Sequence, residues 1–309
     1  MPVSRVVRHA VPAPRPPDAL QPPSPEDIER WVYAYLQHAP LSLTLREINR
    51  LIAIEAVARG ERPVLDVGCG DGDIAFFLES LGVQVDAIDH APTNNNHLLG
   101  VHALKQKLAS SVRIHAELTD VSRERPFPGT EFREIIGNCS LEHVPDIDAA
   151  LSNLRKAASD RARLLMFVPT PRWAYQGKLQ SWLLRRAPRV AMSLSGAMNG
   201  FFQHWHLYDA KVWTRLLAQN GWQVRATYGL GSARSEFLFR AFMPPAFVEF
   251  VAKKLTGFYP SKLARFLPRA ALAPAARLVQ WAVSDPLVPA DSPTAYEYLI
   301  IADAAEPPR

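Results

Sequence analysis

Val64-Leu65-Asp66-Val67-Gly68-Cys69-Gly70-Asp71-Gly72 runs from a short apolar segment into a turn with glycine at every second position. The first four residues have the length and branching of a buried strand. Ile74, Phe77, Leu78 and Leu81 follow at helical spacing until Gly82. A glycine-rich turn between a strand and a helix lies at the carboxyl end of a parallel sheet, where open α/β folds bind their ligands. Glycine lets the backbone turn tightly there and approach a ligand with no Cβ in the way.

Working outward, Val83-Gln84-Val85-Asp86-Ala87-Ile88-Asp89 reads as the next strand, and 112–118, 132–137, 163–168, 222–228 and 296–302 as the others. Ile147, Ala150, Leu151 and Leu154 mark a helix between the fourth and fifth. Asp209 caps another, with Val212, Trp213, Leu216 and Leu217 as its buried face and Gly221 as its stop. Upstream, Ser24-Pro25-Glu26-Asp27 starts a helix, and two helices are predicted near 26–38 and 44–59. The second carries a wide apolar face of Leu45, Ile48, Leu51, Ile52 and Ile54. This alternation predicts an α/β fold with a doubly wound, mainly parallel seven-stranded sheet. Residues 172–203 and 231–293 fall outside it and read as helical insertions. Residues 1–25 hold eight prolines and are expected to form a disordered tail, leaving 26–309 as one domain.

Composition narrows the function. Lys and Arg number 35 against 30 Asp and Glu, and a net +5 over this length does not point to nucleic acid. Cys69 and Cys139 have neither metal-ligand nor disulfide-framework spacing. No apolar run reaches the roughly 18 to 20 residues of a membrane span, and the N-terminus lacks a signal-peptide core. A cytoplasmic protein is expected.

The turn does not suit a dinucleotide, because Asp73 stands where the third glycine of that fingerprint belongs, and no Gly-Lys-Ser/Thr ending supports a nucleoside triphosphate. Asp66, Asp71 and Asp73 instead suit a cation. Asp89, 19 residues after Gly70, ends the second strand where an acid accepts hydrogen bonds from ribose hydroxyls. S-adenosylmethionine joins a ribose to a sulfonium and an ammonium.

With Ala87-Ile88-Asp89, Leu141-Glu142-His143-Val144-Pro145-Asp146, Phe167-Val168-Pro169 and the stretch 204–222, the sequence resembles the class I S-adenosylmethionine-dependent methyltransferases, in particular the broad group with ubiquinone- and menaquinone-pathway enzymes. The resemblance covers roughly 45–230 and the last strand. It implies the Rossmann-like methyltransferase fold. It also implies that Asp66, Gly68, Cys69, Gly70 and Gly72 line the methionine portion of the cofactor, that Asp89 holds the ribose, and that Glu117 or Asp120 lies near adenine. Asn138, Cys139, Glu142 and His143 would face cofactor and acceptor. One departure is Phe132-Arg133-Glu134-Ile135, where the family usually has aspartate after phenylalanine, which bears on local packing.

Methyl transfer from a sulfonium is an in-line displacement, so the protein positions two reactants and in some cases removes a proton. His143 is a candidate base, or else a loop hydrogen-bond partner. His204 and His206 are candidates on the acceptor side. No metal is expected, since Cys139 occupies the first acid position of the Glu-x-x-Glu-His metal site of related quinone enzymes. Residues 231–283 carry eight basic residues and two acidic ones among many aromatic and aliphatic side chains. They read equally as a lid over the pocket or as an element resting on an anionic membrane at its inner face. Either favours a small or amphiphilic acceptor: lipid-linked, glycan-precursor or quinone-like. DNA is disfavoured, because no Asn/Asp-Pro-Pro-Tyr/Phe motif follows the fourth strand. The alternative is a catalytically silent cofactor-binding or scaffold protein.

Overall fold

The computed structural model describes residues 25–36, 40–70, 72, 74–75, 78, 83–89, 113–115, 120–175, 178–256, 259–283 and 287–305. The expected tail up to Ser24, together with Asp71, Asp73 and Glu117, lies outside them.

The strands are β1 (Val64–Val67), β2 (Val85–Ile88), β3 (Arg113–His115), β4 (Phe132–Asn138), β5 (Ala158–Pro169), β6 (Trp222–Leu230), β7 (Leu287–Pro289) and β8 (Glu297–Ala304). The helices are α1 (Pro25–Leu36), α2 (Leu41–Val57), α3 (Ile147–Ala157), α4 (Lys178–Arg186), α5 (Pro188–Phe202), α6 (Ala210–Gln219), α7 (Ala233–Ala241), α8 (Met243–Thr256) and α9 (Arg269–Ala282). Ile74 and Leu78 are helical and buried after β1, as their spacing predicts, while Phe77 and Leu81 lie outside the described residues.

The sheet order is β3-β2-β1-β4-β5-β8-β6-β7. The strands from β3 to β5 are parallel, and β8 runs antiparallel to both β5 and β6. The seven expected strands are present. The added β7 pairs with β6 inside the second insertion; with three residues it is too short to show an alternating pattern.

Alternate strand residues feed two cores, as a sheet covered on both faces requires. Val64, Val85, Ile136, Leu165, Phe167, Leu299 and Ile301 pack under α1, α2, α7 and α9. Leu65, Val67, Ile135, Leu164, Met166, Ile300 and Ala302 pack against α3 and α6. Part of the 231–293 insertion is therefore structural: Leu238, Phe239, Leu272 and Val279 close one face of the sheet. Helix α6 buries only Trp213 and Leu217 of the four residues expected, with Val212 exposed, so its buried stripe is narrow. Its cap is as expected, Asp209 accepting from the Val212 amide at 2.9 Å, and Asp146 caps α3 the same way on Ala149 at 3.0 Å.

At the departing Phe132-Arg133-Glu134-Ile135 the packing is settled by Glu134. Its carboxylate accepts the Arg59 and Gly60 amides at 2.9 and 2.8 Å, tying the α2–β1 connection to β4. Burial outweighs those bonds and pushes its carboxyl up to about 7.

Candidate active site

The turn after β1 is held from two sides. The Gly68 and Cys69 amides both donate to the Ile88 carbonyl, at 2.8 and 2.9 Å, which fixes the turn to the end of β2. Gly68 has φ +71°, and a Cβ there would lie 2.3 Å from Cβ of Ser140. Ser140 in turn donates through Oγ to the Val67 carbonyl at 2.6 Å. The first glycine is thus demanded by the approach of the segment following β4. Gly70 differs: with φ +52°, a Cβ there would meet nothing within 4 Å. Its amide donates to Asp89 Oδ2 at 2.6 Å, and the Gly72 amide closes the turn on Cys69 O at 2.7 Å.

Asp66 is fully buried on β1, and neither carboxylate oxygen has a hydrogen-bond partner among the described residues. Burial first, and the neighbouring Asp89 charge second, push its carboxyl up to about 8. A buried, unpaired carboxylate is costly, and a cation beside it removes that cost. The acidic floor, the open Gly70 backbone and Asp89 fit a ligand with positive charge at one end and a ribose beyond it. Asp120 is engaged in its own turn, accepting from the Ser122 amide at 3.0 Å and pairing with Arg123 at 3.1 Å.

Across β4 the chain turns sharply. Asn138 donates through Nδ2 to Glu47 on α2 at 3.3 Å, and Cys139 takes φ +49°. Leu141–His143 forms a 3-10 turn whose Glu142 is fully buried, with neither carboxylate oxygen bonded among the described residues. Burial pushes the Glu142 carboxyl up, against the pull of His143. His143 Nδ1 lies 3.1 Å from the Gln203 carbonyl. A carbonyl only accepts, so this contact assigns the proton to Nδ1 and leaves Nε2 facing Glu142 Oε1 at 3.7 Å.

His204 stacks on His143 with ring centroids 5.3 Å apart. It meets Trp173 edge-on at 4.9 Å and Phe202 at 5.7 Å. Burial, then His143, lower its pKa to about 3, so the ring is neutral. Glu142, His143 and His204 each offer a ligand atom within 4.8 Å of the others, a grouping able to hold a metal ion that the Cys139 argument did not anticipate.

His206 is not part of this group. Its Nε2 donates to the Val144 carbonyl at 2.8 Å, which leaves Nδ1 to accept from the Tyr208 hydroxyl at 3.0 Å. Both nitrogens are engaged, and the ring packs near Trp213, so its contacts tie it to the loop.

The roof comes from residues the sequence reading passed over. Arg46 and Arg50 on α2 are both buried and both ion-paired to Glu297 at the start of β8, Arg50 bidentately at 2.8 and 3.0 Å. Arg50 also pairs with Glu47 and reaches Cys139 Sγ at 2.9 Å, with Arg46 at 3.7 Å from the same sulfur. Burial alone would raise the Glu297 carboxyl; the two guanidiniums outweigh it and hold it below its ordinary value. Burial pushes the Cys139 thiol well up, Arg50 opposing. Asn49 donates to the Tyr296 hydroxyl at 3.0 Å beside them. The available signal was the i, i+3 and i+4 spacing of Arg46, Asn49 and Arg50 within a helix with a wide apolar face.

The family model described as a methyltransferase domain matches residues 34–227. The ubiquinone biosynthesis O-methyltransferase of Xanthomonas campestris pv. campestris (strain B100) is 34% identical over 108 residues, covering 35% of this chain and 41% of that protein. The 2-phytyl-1,4-naphtoquinone methyltransferase of Synechococcus elongatus is 30% identical over 159 residues, covering 48% of this chain and 66% of that one. The chain thus spans about two fifths of the length of the first relative and about two thirds of the second. Among solved structures, the magnesium protoporphyrin IX methyltransferase of Synechocystis PCC 6803, with bound SAH, is similar at 20% identity. It covers 62% of this chain and 77% of that one with a TM-score of 0.39, too loose a likeness to carry an argument. The matched domain spans more than half of the residues and includes the glycine turn, Asp89 and the Glu142-His143 turn: the chain belongs to the class I S-adenosylmethionine-dependent methyltransferases.

Proposed function

We propose that the protein methylates an oxygen of a planar, amphiphilic, quinone-like acceptor bound against Trp173, Phe202 and His204, with His143 taking the hydroxyl proton. The observation that carries this reading is the buried Glu142 carboxylate, without a hydrogen bond among the described residues and 3.7 Å from His143 Nε2. When bound, S-adenosylmethionine supplies an electrophilic methyl group, and the residues named here manage the acceptor. Gln203 fixes the His143 ring through Nδ1, so Nε2 is the atom free to accept a proton. A proton arriving there sits beside Glu142, which stabilises the imidazolium and favours its formation as the hydroxyl loses its proton. Neutral His204 adds no opposing charge to that step.

The printed functions of the curated relatives, a ubiquinone-pathway O-methyltransferase and a naphthoquinone methyltransferase, support the acceptor class. Asp66, the glycine turn and Asp89 are proposed to hold the cofactor. The 231–293 segment is proposed to cover the acceptor: Phe239 of α7 stacks on Tyr296 at 5.5 Å beside Glu297. Its membrane-contacting reading draws support from the exposed Phe247, Val248 and Leu255 of α8. The proposed place of action is the cytoplasmic face of an anionic membrane. No observation favours the silent-binder alternative.

The test is transfer of a labelled methyl group to a panel of hydroquinones and catechols of increasing tail length. His143→Gln is expected to lower turnover by about 100- to 10,000-fold with cofactor affinity unchanged. Wild-type turnover in that variant overturns the base, and no transfer to any member of the panel overturns the acceptor class.

A further inference from the structure

Between Asp160 and Asp209 the chain has no aspartate or glutamate, but it has Arg161, Arg163, Arg172, Lys178, Arg185, Arg186 and Arg189. Helices α4 and α5 form the middle of this stretch as a hairpin, closed by Gln180, whose side chain donates to Ala191 O at 2.9 Å and lies 2.8 Å from Ser195 Oγ. On α5, Ala191 and Ser195 are buried, and Met198 and Phe202 continue that face toward Trp173 and Tyr296. The outer surface is apolar as well. Trp182 is 51% exposed, Val190 51%, Met192 61% and Leu194 52%. Arg185, Arg186 and Arg189 are exposed at the hairpin bend.

A hairpin designed for water would carry acids among those arginines and polar residues in place of Met192 and Leu194. Nucleic acid would complement the arginines but not the aliphatic side chains, and a second copy of this chain would bring arginine against arginine. A bilayer with anionic headgroups complements both, taking the side chains of Trp182, Val190, Met192 and Leu194 at the acyl boundary and the guanidiniums at the phosphates. No helix among the described residues is long and apolar enough to cross a membrane, so such contact would be peripheral.

We infer that the α4–α5 hairpin is a docking surface for an anionic lipid bilayer. The inner end of α5 joins this surface to the acceptor side of the pocket: the His204 amide donates to Asn199 O at 3.0 Å, and Phe202 packs on both Trp173 and His204. Delivery of acceptor from the lipid rests on the function proposed above; binding to the bilayer does not.

The experiment is co-sedimentation of the full chain with vesicles of phosphatidylcholine alone or mixed with phosphatidylglycerol, at low and high salt. The wild type is expected to pellet with the mixed vesicles and to be released by salt. Replacing Arg185, Arg186 and Arg189 with Gln is expected to lower the partition coefficient by about 100-fold, and M192S/L194S to lower it at all salt concentrations. Thermal stabilisation by S-adenosylhomocysteine, unchanged in both variants, shows that they are folded and that the cofactor assignment stands by itself. The inference is overturned if the wild type stays in the supernatant, or if the Gln variant pellets as the wild type does while an F247S/V248S/L255S variant does not. It is also overturned if the wild type is a dimer that M192S/L194S makes monomeric.

Discussion

The described residues between 64 and 89, proposed to form the cofactor side of the site, come from a strand, its turn and the neighbouring strand, and the bonds that shape them are largely backbone to backbone. The proposed acceptor side draws Arg46 from α2, Cys139 and His143 from the segment after β4, Trp173 from that after β5, His204 from that after α5, and Glu297 from β8. The contacts that tie Arg46 and Arg50 to Glu297 and Cys139 are side chain to side chain and span up to 251 positions of sequence. A local backbone site tolerates change wherever a side chain faces open space, whereas a site assembled from buried charges depends on every partner being present.

That difference is sharpest at Glu297. Glu297→Gln leaves Arg46 and Arg50 buried without their counter-charge, and breaking such a pair costs about 3–5 kcal/mol. Urea unfolding should show that loss; a change below about 1 kcal/mol would mean that Glu47 and solvent compensate, and the contrast between the two sides would weaken. Within the cofactor side, Gly68→Ala must overcome both a positive φ and a Cβ collision with Ser140, for an expected cost of about 2–4 kcal/mol. Gly70→Ala meets only the backbone penalty, about 1–2 kcal/mol. Equal melting temperatures for these two variants would show that the clamp between turn and β4 segment is not rigid.

Asp89→Ala removes the proposed ribose acceptor and the carboxylate that takes the Gly70 amide. The expected loss is about 1.5–3 kcal/mol in cofactor affinity, against none for the surface change Glu236→Ala; calorimetry giving equal affinities would reduce Asp89 to a turn residue.

The smallest effect per step is a pH slope. Asp66 binds a proton up to about pH 8 in the free protein, against roughly 4 when unfolded. Native protein therefore holds the extra proton across that window, and its stability without cofactor falls as pH rises, by at most about 1.4 kcal/mol per unit. A cation prefers the carboxylate, so cofactor affinity should rise over the same direction, up to about tenfold per unit between roughly pH 5.5 and 7. Asp66→Asn should flatten both slopes. Calorimetric titrations that show the same slope in the variant would place the titrating group elsewhere.

The strand positions along the chain, the glycine turn, the acid that ends the second strand and the Asp209 helix cap were legible because each is a short-range statement: period, turn chemistry and capping act within a few residues. The sequence also marked His143 and His204 as candidates, but it weighed His206 with them, and only the structure separates them by where each ring nitrogen points. The 231–293 insertion read as a lid or membrane element, yet Leu238, Phe239, Leu272 and Val279 turned out to cover the sheet, because an amphipathic face does not state what it packs on. Arg46, Arg50 and Glu297 could not be paired from the chain alone. Their meeting depends on α2 crossing the carboxyl end of the sheet and on β8 being inserted antiparallel between β5 and β6. The sequence by itself determined the fold class and the cofactor turn, since both follow from local periodicity and backbone freedom. The acceptor side was decided by tertiary structure, since buried charges find their partners only once the folded core has brought distant segments together.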